Sequence, residues 1–258
     1  MINLSIPNST LVRGIKSYNK INKLTNIIED REHSKFEFNK KNKLFHFEQN
    51  INFLFTKKDK QMIYNKILNK KYKIISFQLA SCYQNPKLNN GKFFPKGKKI
   101  SEQLMLKNIE KNVKWLRKLI NKNTKIAVEN NNYFKTGAYE IVTNPGFINM
   151  ICKKFKVFIL FDYSHAQISS YNNNMNFEEY TNKFQKSKIV QLHFCGFSFN
   201  DDQIIDSHTK PKKKDYENLL NLVKKFGNLE FITVEYYKNI KTLENILIEI
   251  KKISKQIK

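Results

Sequence analysis

Lys188-Ile-Val-Gln-Leu-His-Phe194 reads as an extended segment with two unlike faces. Side chains alternate along a strand with a period of two, so Val190, Leu192 and Phe194 share one face while Ile189, Gln191 and His193 share the other. The same parity recurs along the chain. In 229–236, Ile232 and Val234 oppose Phe231, Thr233 and Glu235, and in 125–130, Ile126 and Val128 oppose Ala127 and Glu129. In 73–80, Ile75, Phe77 and Leu79 oppose Ser76, Gln78 and Ala80; in 43–48, Phe45 and Phe47 oppose Leu44, His46 and Glu48. Each segment has one apolar face, and the other usually carries a metal-capable residue near its end. In a parallel barrel the apolar face meets a layer of helices, and inward residues late in each strand reach the C-terminal mouth.

From residue 57 onward, such segments alternate with amphipathic stretches at 57–71, 101–121, 177–186, 213–226 and 240–257, the signature of βα units. Strands at 73–80, 125–130, 156–162, 188–194 and 229–236, with three more at 2–6, 35–38 and 43–47, give eight. The expected fold is therefore a (β/α)8 TIM barrel forming a single domain over 1–258. It is irregular in its first third, where 38–43 is too short for a crossover helix.

The chain carries 47 basic against 22 acidic residues, a net charge of +25. Only Arg13, Arg31 and Arg117 are arginine, the side chain that makes bidentate contacts to phosphates and guanine edges. Spread-out lysines with so few arginines argue against a dedicated nucleic-acid surface, although such charge attracts polyanions at low salt. The longest apolar run, 157–161, is flanked by Lys156 and Asp162, and 1–10 lacks a secretory pattern. A cytoplasmic protein without a membrane partner is expected. Cys82, Cys152 and Cys195 form no CxxC pair, which excludes a zinc ribbon and argues against a disulfide scaffold.

Four segments concentrate the chemistry: Glu129 at a strand end, Asp162 and His165 flanking a strand-to-loop bend, His193 with Asp206 and His208, and Glu235 ending the last strand. Asp206 and His208 are two apart, so an extended backbone turns both to one side. Three of the chain's five histidines lie here, and imidazole with carboxylate suits iron, zinc or manganese. One ion takes about four to six ligands. Glu129, Asp162, His165, His193, Asp206, His208 and Glu235, with His46 as a further candidate, exceed that number, which points to two or three metals bridged by carboxylates. Taken singly, His46 reads as a core histidine and Glu129 as a helix cap; their coincidence at successive strand ends favours a shared site. Asn130 and Tyr133 follow Glu129 at the mouth, where both would contact substrate, Asn130 alternatively supporting the site. Cys195 shares the side of His193. Lys210, Lys212, Lys213 and Lys214 read as a solvated helix start, and His33 has no role.

At Val128-Glu-Asn130 with Tyr133, Leu160-Phe-Asp-Tyr-Ser-His165, Leu192-His-Phe-Cys-Gly196, Ile205-Asp-Ser-His-Thr-Lys-Pro211 and Val234-Glu235, the sequence resembles the xylose isomerase-like barrel superfamily. Within it, the chain is most similar to the multinuclear non-haem iron-dependent oxidative enzymes that modify ribosomally made peptides. The resemblance implies that the seven residues from Glu129 to Glu235 ligate or adjoin two or three metal ions, iron first and zinc or manganese otherwise. Glu129, His193 and Glu235 are then the catalytic set. It further implies oxidative modification of a peptide side chain using dioxygen, with a partner protein delivering the peptide. Gln78 stands where family members usually supply another histidine, and His46 offers an alternative. Tyr163 and Ser164 follow Asp162, closer to the Asp-x-x-His form of the wider superfamily. That superfamily also contains endonuclease IV, a zinc phosphodiesterase acting on damaged DNA, and divalent-metal sugar isomerases and epimerases. No Arg-rich or aromatic wedge loop for opening a duplex is present. A barrel that only binds is the non-enzymatic alternative.

Overall fold

The strands close on one another in sequence order. In the computed structural model, which describes residues 2–12, 15–25, 27–34, 42–200 and 203–256, the barrel strands are β1 (Asn3–Pro7), β2 (Ile27–Arg31), β3 (Asn42–Asn50), β4 (Ile74–Gln78), β5 (Lys125–Glu129), β6 (Phe158–Asp162), β7 (Ile189–Phe194) and β8 (Phe231–Val234). Every neighbouring pair is parallel, and β8 returns to β1 to complete the ring. Among the described residues are also helices α1 (Ile15–Asn22), α2 (Lys57–Ile67), α3 (Glu102–Leu119), α4 (Pro145–Phe155), α5 (Tyr163–Asn172), α6 (Phe177–Asn182), α7 (Lys213–Lys225) and α8 (Ile240–Lys255), two short 3-10 turns and two hairpins. One hairpin pairs Lys87–Asn89 with Lys92–Phe94; the other pairs Gly196–Asn200 with Gln203–Thr209 between β7 and α7.

The expected strand at 35–38 lies outside the described residues; the strand between β1 and β3 is instead Ile27–Arg31. Its run Glu29-Asp-Arg31 looks solvated in sequence, yet each charge has a partner. Asp30 accepts from Asn8 Nδ2 at 2.8 Å and from the Tyr72 hydroxyl at 2.9 Å, while Glu29 and Arg31 pair with each other. The bend expected after Asp162 is a helix: Asp162 caps α5 by accepting from the His165 amide at 2.8 Å.

The outward residues Ile75, Phe77, Ile126, Val128, Ile159, Phe161, Leu192, Phe194, Ile232 and Val234 join the core between strands and helices. The inward residues Leu44, Ile74, Ala127, Leu160 and Phe231 make a separate apolar floor inside the barrel. Val190 belongs to that floor and Ile189 to the outer core, the reverse of the expected parity. An extra residue explains it: Ile159 pairs with Ile189 but Leu160 with Gln191, so β7 bulges at Val190. Above the floor lies a polar layer, in which Ser5 and Thr233 hydroxyls are 2.6 Å apart and Gln191 Nε2 donates to Thr233 Oγ1 at 3.0 Å. Inside the barrel, the charged side chains of the site gather above these layers, at the C-terminal mouth.

Gly196 joins β7 to the hairpin at a place where no side chain fits. A Cβ there would lie 2.7 Å from the Lys210 carbonyl oxygen and 2.8 Å from Thr209 Oγ1. Gly196→Ala is expected to push back the strand that carries Asp206 and His208, at a cost of about 1–3 kcal/mol. Urea titration of the variant against the wild type measures it; an unchanged midpoint would contradict the close approach.

Candidate metal centre

His193 is the hub. It sits one residue before the end of β7, where Nδ1 lies 3.2 Å from Glu129 Oε1, 3.4 Å from Glu235 Oε1 and 3.8 Å from Asp162 Oδ2. The three acids come from the ends of β5 and β6 and from the residue after β8, so the closed barrel, not proximity in sequence, assembles them. From β3, His46 Nε2 approaches the other Glu129 oxygen at 3.4 Å, while its Nδ1 is 2.9 Å from Ser76 Oγ. The Glu129 carboxylate thus faces a different imidazole with each oxygen.

Around the mouth, His165 Nδ1 lies 2.9 Å from the Asn130 carbonyl oxygen and its Nε2 lies 3.3 Å from Asp206 Oδ2. A ring N–H donated to a backbone carbonyl fixes the tautomer and leaves the other nitrogen available to a metal. Asp206 and His208 lie on the second strand of the hairpin, with Asp206 Oδ1 3.7 Å from His208 Nδ1. His208 adopts φ +43°, a left-handed conformation rare outside glycine and one that the surrounding packing must hold. Its Nδ1 is 3.9 Å from Glu235 Oε2, which links this pole to the hub. All eight residues expected from sequence therefore converge on one pocket.

Asn130 is fully buried, donates from Nδ2 to the Asp162 carbonyl at 3.0 Å and accepts at Oδ1 from the Asp162 amide at 2.7 Å. With both amide atoms so engaged, it staples the ends of β5 and β6 and supports the site. Tyr133 is half-buried beside the aromatic cluster of Phe134 and Tyr139. His33 is exposed near Glu48, apart from the hub.

Glu29 and Arg31 are the functional residues that the sequence reading missed. Glu29 Oε2 accepts from His193 Nε2 at 3.0 Å and also from Gln191 Nε2. Its Oε1 lies 2.5 Å from Arg31 Nη2, and the same guanidinium nitrogen bonds Glu235 Oε1. The signal was present: Glu29 and Arg31 are two apart and so share a face of any extended segment. A carboxylate behind one imidazole nitrogen, with the other nitrogen turned toward three acids, is the usual outer support of a metal-binding histidine.

The electrostatics describe a pocket short of positive charge. Burial raises the Asp162 carboxyl, His165 pulls it down, and Asp206, Glu235 and Glu129 raise it, the balance standing at about 8. Burial would also raise Glu129 and Glu29, but His46 and His193 beside the first, and Arg31 and His193 beside the second, hold each at about 2. Burial disfavours charge on His193 and His165, yet Glu235 and Glu29 lift the first, and Asp162 with Asp206 the second, well above the ordinary imidazole range. His46 falls to about 4 through burial, which the pull of Glu129 only partly offsets. Asp162 Oδ2 is buried with no hydrogen-bond partner among the described residues. An orphaned carboxylate oxygen among imidazoles and further acids fits a cation. Among the described residues four donor groups are close enough to hold one: three in the pocket, Glu129 with Asp162 and His165, Glu29 with His193 and Glu235, and Cys195 with Asp206 and His208, and one away from the hub, Glu32 with His33 and Glu48.

Residues 97–258, more than half of the chain, match the RiPP precursor modification enzyme family MbnB/TglH/ChrH. The chain belongs to this family. Family membership implies a multinuclear metal centre, and the matched region contains every hub and rim residue except Glu29, Arg31 and His46. No curated protein matches the sequence. Among solved structures, the chain is similar to a 3-keto-D-glucoside 4-epimerase from E. coli, with TM-score 0.61 and 9% identity over 99% of this chain and 100% of that one. It is likewise similar to a D-tagatose 3-epimerase-like protein, with TM-score 0.60 and 15% identity over the whole of both chains. A D-psicose 3-epimerase from Clostridium cellulolyticum H10 gives TM-score 0.59 and 12% identity, again over the whole of both. At such identities the likeness shows the fold alone, a closed barrel of eight parallel strands.

Two outcomes test the centre. His193→Ala or Glu235→Ala is expected to remove at least about one metal equivalent while leaving the barrel folded; elemental analysis and circular dichroism together check this, and unchanged metal in both variants contradicts it. Glu29→Gln keeps the shape but weakens the support of His193, so metal affinity should fall roughly 10–100-fold in a chelator competition.

Proposed function

We propose that this enzyme oxidatively modifies a side chain of a ribosomally made peptide, using dioxygen at a site of two or three metal ions, iron in the first instance. The observation that carries the reading is the convergence of the Glu129, Asp162 and Glu235 carboxylates on His193 Nδ1 in a chain of a peptide-modifying family. Bound metal of this kind polarises a coordinated substrate group and supplies the electrons for dioxygen chemistry.

The chain's own residues set the direction of approach. The His193 and Glu29 side chains are 1% and 0% exposed, whereas His208 is 34% exposed. A peptide side chain therefore reaches the centre past His208, whose ring packs edge-on against Tyr237 at 5.1 Å. The Tyr237 hydroxyl donates to Glu235 Oε1 at 3.4 Å, which keeps a proton beside the catalytic acid. On the other side of His193 stand Glu29, fully buried, and Arg31, whose side chain is 21% exposed. In this reading the lysine-rich surface, with its net charge of +25, favours an acidic leader segment or a partner protein that delivers one. No helix among the described residues is long and apolar enough to cross a membrane.

Protein purified without oxygen or added chelator is expected to contain roughly two or three iron atoms per chain, with visible absorption developing in air. It should then change the mass of a cysteine-containing precursor peptide only when dioxygen is present. Zinc without iron, together with cleavage of abasic DNA, would replace this reading with phosphodiester hydrolysis. Turnover of a ketose with manganese would replace it with epimerisation.

A further inference from the structure

Cys195 has no part in the chemistry above, yet its thiol is among the most enclosed groups at the mouth, 1% exposed. It follows β7 directly. Sγ lies 3.0 Å from Ser164 Oγ, 3.3 Å from His208 Nδ1 and 3.7 Å from Asp206 Oδ1. The remaining separation, His208 Nδ1 to Asp206 Oδ1, is 3.7 Å. These three atoms form a triangle of sulfur, nitrogen and oxygen. A tetrahedral ion with bonds of about 2.0–2.3 Å needs donors roughly 3.3–3.7 Å apart. The triangle matches that requirement before any side chain moves.

Two further features serve this arrangement. Gly196 lets the returning hairpin strand approach so closely that a Cβ would overlap Lys210, and this approach brings His208 onto Sγ. Asp206 turns its other oxygen to His165 Nε2 at 3.3 Å, so one carboxylate joins the sulfur-bearing corner to the Asp162–His165 pair.

We propose that Cys195 is a thiolate ligand of the metal at the rim, beside Asp206 and His208, making that pole a mixed sulfur, nitrogen and oxygen site. The proposal rests on the reading of the pocket as a metal centre and adds a ligand to it. The Sγ–metal bond forms as the thiol proton leaves to solvent, with no change in oxidation state. Sulfur at this pole selects thiophilic ions such as iron, cobalt or zinc over magnesium, calcium or manganese.

The test loads the whole chelator-stripped protein with cobalt(II) in the absence of oxygen. Bound cobalt is counted by elemental analysis, and thiolate-to-cobalt charge transfer is read in the near-ultraviolet. The wild type should show the band, and so should Cys82→Ala, Cys152→Ala and Ser164→Ala; Cys195→Ser should lose it. X-ray absorption of the cobalt-loaded wild type needs no variant to fold and should show a sulfur neighbour at about 2.3 Å. Cobalt bound with only nitrogen and oxygen neighbours, or a band that survives in Cys195→Ser, overturns the proposal and leaves the metal centre standing. Failure of the wild type to take up cobalt at all overturns both.

Discussion

Five carboxylates, Glu29, Glu129, Asp162, Asp206 and Glu235, point into one end of a closed barrel, and they cannot share it without cations. Taking a charge out of water costs several kcal/mol even after the protein relaxes around it. Much of the local architecture is a response to that cost. Arg31 supplies one fixed positive charge and joins two of the acids. Four imidazoles stand between the others, with His193 reaching three of them from one ring nitrogen and Glu29 from the other. The apolar floor formed by Leu44, Ile74, Leu160 and Phe231 lies below the acids and offers them no partner. What remains uncompensated, above all the unpartnered Asp162 oxygen, is the demand for metal.

Much of this was legible from parity. Strands β3, β4, β5 and β8, and β7 beyond its bulge, expose their period because one face packs on helices and must be apolar, and the candidate ligands lie late on the other face. The reading failed where charge pairing, not apolar periodicity, holds an element in place. In β2, Glu29, Asp30 and Arg31 each find a partner in space, and a sequence shows no such partners. Helix α5 was missed for a related reason. Tyr163, Ser164, Ala166, Ile168, Ser169 and Ser170 are all buried, so the helix has no solvated face to set a period. The bulge that carries Val190 inward is a feature of pairing between two strands, which one strand's sequence does not encode.

The scarcity of arginine, used above against a nucleic-acid surface, acquires a structural sense. Of the described arginines, Arg31 lies in the pocket and Arg117 donates to the Phe155 carbonyl at 2.5 Å, at the C-terminus of α4. Arg31 is tied to the acids of the pocket and Arg117, though exposed, to a backbone carbonyl, so most of the outward charge is lysine. Lysine gives a diffuse attraction for acidic partners without the planar fork that would grip phosphates.

The exposure gradient from Glu29 to His208 also has a kinetic meaning. An ion held among His193, Glu129 and Glu29 would be lined by side chains at most 4% exposed, whereas one beside His208 would border solvent. Exchange would then be ordered, with the rim ion the first to leave. The metal count of a preparation would then record how it was handled, loss of the outermost ion leaving the barrel closed around the inner one.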